Sequence, residues 1–109
     1  MRQVIFFRRY FLDFFQVQPD KVREKIIWTL ELIKKEPRLS QKFFKHVEGT
    51  RGLYEIRIEV DGCTYRIFSF FDEGNLVVLG NAFQKKSKKT PRKEIVKALK
   101  ILKEYFDEE

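Results

Sequence analysis

The feature that most constrains this chain is a tight turn at Asp61 and Gly62, with an alternating run of residues on either side. Aspartate followed by glycine is the preferred chemistry of a two-residue type I′ turn, in which both residues adopt positive φ. A turn of this kind fixes the register, so Val60 pairs with Cys63. The sequence therefore predicts a β-hairpin within residues 53–71 whose pairing can be counted residue by residue.

The two faces of this hairpin differ in chemistry. Apolar and aromatic side chains alternate on the face expected to form the core: Tyr54, Ile56, Ile58 and Val60. On the other face, counting back from the turn places Arg57 directly opposite Arg66. Directly opposed like charges destabilise a sheet. The pairing is therefore either incidental to the flanking acids Glu55 and Glu59, or kept because an anion binds there.

The residues before the hairpin predict a strand and helices. Residues 3–7 are typical of a short strand, and residues 10–16 of a short helical segment. A firmer helix starts at Pro19, repeats apolar residues on one face and ends before Pro37. Residues 40–46 are expected to add one turn of helix that points Phe43 and Phe44 inward.

The residues after the hairpin predict a third strand and a last helix. Residues 72–75 suit a four-residue turn into a strand at 76–83, which would place Asn81 opposite Arg66 and Phe83 opposite Thr64. Thr90 and Pro91 are expected at the N-cap and N1 positions of the last helix. The inward stripe of that helix is predicted to be Ile95, Leu99, Leu102 and Phe106.

These elements predict an α+β fold in a single domain spanning residues 1–109. Its architecture is a small, mainly antiparallel sheet with two N-terminal helices and a C-terminal helix. One face of the sheet is expected to stay open and to present Glu55, Arg57, Arg66, Phe68, Phe70, Asn81 and, beyond Phe83, Lys85. Arginines beside aromatic rings on an open sheet are typical of single-stranded RNA binding. In the alternative interpretation, Phe68 and Phe70 are buried under the N-terminal strand or a helix.

Composition indicates the class of partner. The chain has 109 residues and a formal net charge of +7, so an anionic partner is expected. Nucleic acid is the first candidate, with an acidic protein or a membrane surface as alternatives. The single cysteine and the lack of a long apolar run predict a cytoplasmic protein. One cysteine, one histidine and five glycines build no zinc cluster, phosphate loop or catalytic triad, so no metal and no cofactor is expected.

Several motifs, taken together, resemble one protein family. The order GLYEIRI, YRIFSFF and LVVLGNAFQKKSKKTPRKEI, with FLDFF and DKVREKIIWTLELI upstream, closely resembles the RelE/HigB branch of toxins from type II toxin–antitoxin modules, in its phage-derived form. The likeness covers nearly the whole chain. It implies a toxin that cleaves mRNA on the ribosome and is neutralised by a cognate antitoxin protein, with the ribosome and mRNA as further partners.

The resemblance also implies site residues. Arg57 and Arg66 match the basic positions of the two hairpin strands, and Lys85 and Lys86 match the basic pair after the last strand. Glu55 departs from the family, because several members have a lysine there. Residues expected to hold RNA are Lys88, Lys89, Arg92, Lys93, Phe68, Asn81 and Tyr105, although core packing is the alternative for Phe68 and Tyr105.

Metal-independent RNA cleavage requires a base for the ribose 2′-hydroxyl, cations for the phosphate and an acid for the departing 5′-oxygen. Arg57 and Arg66 suit the phosphate, because a guanidinium holds two oxygens and keeps its proton. Glu55 is a candidate base, but a carboxylate beside an arginine is a weak one, so it is equally a surface ion pair. Lys85 or Lys86 is the candidate acid or base, because neighbouring cations favour loss of its proton.

Two further functions remain open at this point. A relative of the ParE toxins would inhibit DNA gyrase by binding it, without catalysis. An inactive copy would retain only RNA or antitoxin binding, and Glu55 in place of a lysine keeps that alternative open.

Overall fold

The structure is a computed structural model that describes residues 1–108. It contains three helices and five strands in the described chain: β1 (Gln3–Phe6), α1 (Tyr10–Gln16), α2 (Asp20–Lys35), β2 (Phe44–His46), β3 (Leu53–Val60), β4 (Cys63–Asp72), β5 (Leu76–Lys85) and α3 (Arg92–Asp107). The strands form one sheet in the order β1-β5-β4-β3-β2, with β1 parallel to β5 and the other pairs antiparallel. The predicted α+β class is confirmed.

The hairpin between β3 and β4 has the predicted turn. Asp61 and Gly62 adopt φ values of 50° and 80°, and Val60 pairs with Cys63. Both φ values are positive, as a type I′ turn requires. The register continues along the ladder, so Arg57 is the direct partner of Arg66 as predicted.

The main core lies on the sheet face that α1 and α2 cover. Side chains of α2 at three- and four-residue spacing meet inward-facing side chains of β3 and β4: Val22, Ile26, Thr29 and Ile33 against Ile56, Ile58, Tyr65 and Ile67. Full burial of one aliphatic side chain contributes about 1.5–3 kcal/mol, so this layer supplies much of the fold's stability. The predicted helix between Pro19 and Pro37 is confirmed.

The opposite sheet face is only partly open, which corrects the prediction. Helix α3 covers one half of it and buries Phe68, Phe70 and Asn81 to 1%, 2% and 2% exposure. Phe68 joins a second apolar cluster with Leu53 and Ala98. The alternative interpretation, in which a helix buries the two phenylalanines, is the correct one.

The inward stripe of α3 also differs from the prediction. Ala98 and Ile101 are its buried residues, whereas Leu99 and Phe106 are 36% and 41% exposed. The helix starts at Arg92, with Pro91 at the N-cap in place of Thr90. The contacts of Glu94 with Asn81 and of Tyr105 with Asp72 fix the rotation of the helix about its axis. Residues 94, 98, 101 and 105 then share one face at helical spacing.

Residues 40–46 form a strand as well as a turn. The amide of Phe44 donates to the carbonyl of Ser40 at 3.0 Å, so one helical turn is present. The chain then extends into β2, where Phe44 pairs with Ile56 and His46 with Tyr54. The prediction of helix through His46 is wrong, because pairing with the β3 edge outweighs local helix propensity.

The register between β4 and β5 differs from the prediction by two residues. The connecting loop pairs Asp72 with Leu76, and a bulge follows between Ile67 and Ser69, each shifting the register by one residue. Arg66 is therefore opposite Phe83, not Asn81, and Thr64 is opposite Lys85, not Phe83. Because the two shifts together move the pairing by two residues, the side chains keep the predicted face.

Candidate functional site

A basic depression occupies the half of the second sheet face that α3 leaves uncovered. Its volume is about 460 Å³, and it is lined by Arg57, Thr64, Arg66, Lys85, Lys86, Ser87 and Lys88. Strands β3, β4 and β5 supply its floor, and the loop after β5 supplies its rim. Five of the seven lining side chains are cationic, so the depression favours an anionic ligand.

The two arginines at the centre have donors without partners. Arg66 is 2% exposed, and its Nε and Nη1 atoms are buried without a hydrogen bond to any described residue. The Nε of Arg57 is in the same state. An unsatisfied buried charged donor costs free energy that a ligand oxygen can recover. Because these nitrogens are buried, an anion in the depression would satisfy them only if the two side chains turned toward it.

Glu55 partly offsets this charge. Its Oε1 lies 3.5 Å from the Nε of Arg66, and its side chain is 15% exposed. Burial lowers the pKa of the Arg66 guanidinium below its ordinary range, whereas Glu55 raises it and Arg57 lowers it further. The Glu55–Arg66 pair is therefore an electrostatic contact and not a hydrogen bond, so the Nε of Arg66 has no hydrogen-bond partner among the described residues.

Lys85 faces the arginines. As the cross-strand partner of Thr64, it lies on the same face as Arg66. Burial and the charge of Arg66 lower the pKa of its ammonium group below the ordinary value of 10.5, with a further decrease from Arg57 that Glu55 opposes. Its ammonium is thus a stronger acid than a free lysine. Lys86, also in the lining, is exposed.

The remaining predicted cations differ in location. Lys88 lines the depression, while Lys89 is exposed in the same loop. Arg92 and Lys93 are exposed on the first turn of α3 and are not part of the lining. Phosphates beyond the depression are within the reach of such flexible side chains, so these three remain predicted contacts outside the site itself.

Asn81 and Phe68 are not available to RNA, contrary to the prediction. The Nδ2 of Asn81 donates to the backbone carbonyl and to Oε1 of Glu94, both at 3.2 Å. Phe68 packs against Phe83 with ring centroids 5.7 Å apart. Asn81 therefore anchors the first turn of α3, and Phe68 is a core residue.

Tyr105 lies at the other end of the sheet. Its hydroxyl donates to Oδ2 of Asp72 at 2.8 Å, and its ring contacts Phe7 and Phe70. Asp72 is six residues from Arg66 along β4, a separation of about 20 Å in an extended strand. The predicted contribution of Tyr105 to the site is therefore wrong, because this distance separates it from the arginines.

Sequence reasoning missed three residues beside the arginines. Thr64 and Ser87 line the depression, and Phe83 is the half-buried ring opposite Arg66. Strand alternation alone identifies Thr64 and Phe83 once the register is correct. The position of Ser87 depends on the conformation of the loop after β5, which no periodic pattern specifies.

No helix within residues 1–108 is both long and apolar enough to span a bilayer. Within the same range, no group of three or more histidine, cysteine or acidic side chains is arranged to hold a metal ion.

The fold is that of the RelE toxins. A form of E. coli toxin RelE with two arginines replaced by alanine, in the free state, superposes with a TM-score of 0.66 at 19% identity over 91% of this chain and 95% of the other. RelE in the archaeal RelE–RelB complex from Pyrococcus horikoshii gives 0.58 at 16% identity, over 81% and 98%. The RelB–RelE antitoxin–toxin complex from Methanococcus jannaschii gives 0.56 at 20% identity, over 84% and 94%.

Sequence comparison assigns the family. Residues 13–103 match the family described as phage-derived protein Gp49-like, and the chain belongs to that family. No curated protein matches the chain significantly by sequence. The RelE-like resemblance predicted from the hairpin and its flanking motifs is confirmed in fold and family.

Proposed function

We propose that this chain is the toxin of a type II toxin–antitoxin module and cleaves mRNA on the ribosome. The observation that carries the proposal is the opposed pair of Arg57 and Arg66, whose buried donors have no hydrogen-bond partner among residues 1–108. Family membership and the RelE fold support it. A phosphate between the two guanidinium groups would relieve their repulsion and satisfy their donors.

The proposed reaction needs no group beyond the protein, the RNA and water. The ribose 2′-hydroxyl loses its proton to water as its oxygen attacks the adjacent phosphorus. The bond from phosphorus to the 5′-oxygen breaks and that oxygen takes up a proton, which leaves a 2′,3′-cyclic phosphate and a free 5′-hydroxyl. Negative charge grows on the phosphate oxygens during this step. Arg57 and Arg66 would stabilise that charge in a partly dehydrated depression, where electrostatic contacts are strong.

Lys85 is the proposed general acid. Its lowered pKa makes the ammonium group a better proton donor to the departing 5′-oxygen. Glu55, held 3.5 Å from Arg66 and largely buried, is assigned to orienting and screening that arginine. Exposed Lys86, Lys88 and Lys89 would hold the RNA backbone.

A cognate antitoxin is the proposed regulator. Two of the structurally similar proteins were solved as RelE–RelB complexes, one of them described as an antitoxin–toxin complex. An acidic antitoxin segment would place carboxylates over Arg57 and Arg66 and so compete with the phosphate.

Primer extension on a reporter mRNA after brief induction tests the function. Wild type is compared with Arg66→Met, which keeps the length of the buried side chain, and with Arg38→Gln, which removes an exposed cation elsewhere. We expect in-frame cuts in translated message with wild type and Arg38→Gln and none with Arg66→Met. Arrest without cuts would instead favour a gyrase inhibitor, and neither arrest nor cuts an inactive binding module.

A further inference from the structure

A second depression adjoins the first around the edge of the sheet. Its volume is about 640 Å³, within the range of sites that hold small organic ligands. It is lined by Lys25, Trp28, Thr29, Leu32, Lys42, Phe43, Arg57 and Glu59. Helix α2 forms one wall, and β3 with the turn before β2 forms the other.

This groove exists because β2 is short. The strand pairs with β3 only from Tyr54 to Ile56, and the amide of Arg57 then donates to the carbonyl of Phe43 at 2.8 Å. From Ile58 to Val60, no described strand lies beside β3 on this side. The uncovered edge and the overhanging helix leave a channel between them.

Trp28 is the main apolar surface of the groove. It is 55% exposed, and the Nζ of Lys25 lies over one face of its ring, 4.5 Å from the centroid. A tryptophan ring left in water retains apolar area that a flat partner can cover. Proteins bind single-stranded nucleic acid by stacking bases on aromatic rings while cations contact the phosphates. A base on Trp28 would take the other ring face or displace the ammonium of Lys25, which could then contact a phosphate.

Arg57 joins the groove to the candidate site, because its side chain lines both depressions. An RNA chain with one phosphate at Arg57 and Arg66 therefore has its neighbouring nucleotide at the mouth of the groove. Lys25 on the α2 wall and Lys42 on the opposite wall add positive charge to the groove. The groove thus continues the cationic surface of the candidate site.

We propose that the groove is a subsite for the nucleotide next to the phosphate at Arg57 and Arg66, with its base stacked on Trp28. This inference rests on the proposed function only in that RNA is the ligand. Glu59 favours a base over an acidic peptide, because its carboxylate repels another carboxylate but accepts a hydrogen bond from a base amino group. Trp28 is the single tryptophan of the chain, so the intrinsic tryptophan fluorescence reports whether the groove is occupied.

The first experiment titrates the purified protein with a 2′-O-methylated RNA hexamer, which keeps bases and phosphates but cannot be cleaved. We expect quenching of Trp28 fluorescence as the hexamer binds. Affinity is measured in parallel by anisotropy of the fluorescein-labelled hexamer. Trp28→Leu should weaken binding about tenfold, in line with the loss of one stacked base. In a series of hexamers that each lack one base, affinity should fall by a similar factor only when the missing base is the one stacked on Trp28.

Ile27→Ala is the matched control. Ile27 is the neighbouring residue on α2, is 53% exposed, and lines a different depression. Its replacement should leave RNA affinity unchanged. Equal affinity of Trp28→Leu and wild type, or equal affinity of every abasic hexamer and the intact one, would overturn the subsite. So would fluorescence that responds to the antitoxin but not to RNA, since the groove would then be a protein-binding surface.

The subsite and the proposed function fail in different ways. If RNA is bound through Arg66 but Trp28 is unaffected, the subsite is wrong and the nuclease proposal stands. If Trp28 stacks a base but induction produces no mRNA cuts, the groove binds RNA and the nuclease proposal is wrong.

Discussion

Arg57 and Arg66 are direct partners across β3 and β4, and each has at least one buried guanidinium nitrogen without a hydrogen bond to a described residue. Neither feature stabilises the sheet, because opposed like charges repel and unsatisfied buried donors lose their hydration. Strain of this kind in a folded protein concentrates where a ligand relieves it. The pair is therefore better explained by binding than by folding.

Neutralising the pair should stabilise the free protein. We expect Arg57→Gln to raise the free energy of unfolding by about 0.5 kcal/mol, the scale of a direct cross-strand charge pair. In an Arg66→Met background the same change should have almost no effect, because the opposing charge is absent. Denaturant unfolding of the four proteins measures the cycle. Simple additivity would show that the guanidinium groups do not interact.

Inorganic phosphate provides a second readout of the same pair. If the two arginines bind an anion, millimolar phosphate should raise the Tm of wild type more than that of the double variant Arg57→Gln/Arg66→Met at equal ionic strength. An equal increase in both would attribute the effect to general screening.

The lowered pKa of Lys85 predicts a stability that depends on pH. Burial and Arg66 disfavour its charged form in the folded chain, whereas in the unfolded chain it titrates near 10.5. Between the lowered pKa and 10.5, the unfolded chain binds the proton that the folded chain has released, so stability from this group rises with pH. Below that window the folded protein retains a partly buried charge that its surroundings disfavour.

Lys85→Met should therefore raise the Tm at neutral pH by about 2–4 °C, and this gain should shrink as pH approaches 10.5. Thermal unfolding at pH 7 and pH 10 measures it, with exposed Lys88→Met as control. The same Lys85→Met variant should lose mRNA cleavage. A decrease in Tm at neutral pH would mean that the electrostatic attraction of Glu55 for Lys85 outweighs its burial.

Glu55→Gln separates a screening role from a catalytic one. Removing the carboxylate leaves buried Arg66 without its counter-charge, so we expect a loss of about 1 kcal/mol in stability and a several-fold gain in RNA affinity. Cleavage should fall by less than about tenfold. A general base would behave differently, with cleavage reduced by about 10²–10⁴-fold at unchanged affinity. Single-turnover cleavage on programmed ribosomes, beside the binding assay, distinguishes the two.

The hairpin could be predicted in detail because Asp61 and Gly62 determine its turn and its register locally. The arginine pair followed directly from that register. The β4–β5 register could not be predicted, because the connecting loop is shortened, with Glu73 at a φ of 42°, and because a bulge follows beyond Ile67. A bulge has no local sequence pattern here, so the pairing beyond Ile67 could not be counted from the turn.

The way in which α3 covers the second sheet face also could not be predicted from the sequence pattern. Helix α3 has apolar residues on more than one side, so periodicity alone allowed Leu99 and Phe106 to point inward. Long-range contacts settle its rotation: Asn81 bonds to Glu94 at one end, and Asp72 bonds to Tyr105 at the other. Glu94 and Tyr105 both lie outside the predicted stripe of Ile95, Leu99, Leu102 and Phe106, so the periodicity did not indicate them.

The contact between Asn81 and Glu94 should be structural. Asn81→Ala removes two hydrogen bonds from a buried site, so we expect a loss of about 2 kcal/mol in the free energy of unfolding and faster amide exchange in the first turn of α3. Glu94→Gln keeps the bond to the backbone carbonyl and should cost less than half as much. RNA affinity of the folded variants should equal that of wild type, since Asn81 is 2% exposed. Weakened RNA binding at unchanged stability would instead restore the predicted RNA contact at Asn81, and would require that α3 moves away from the sheet when RNA binds.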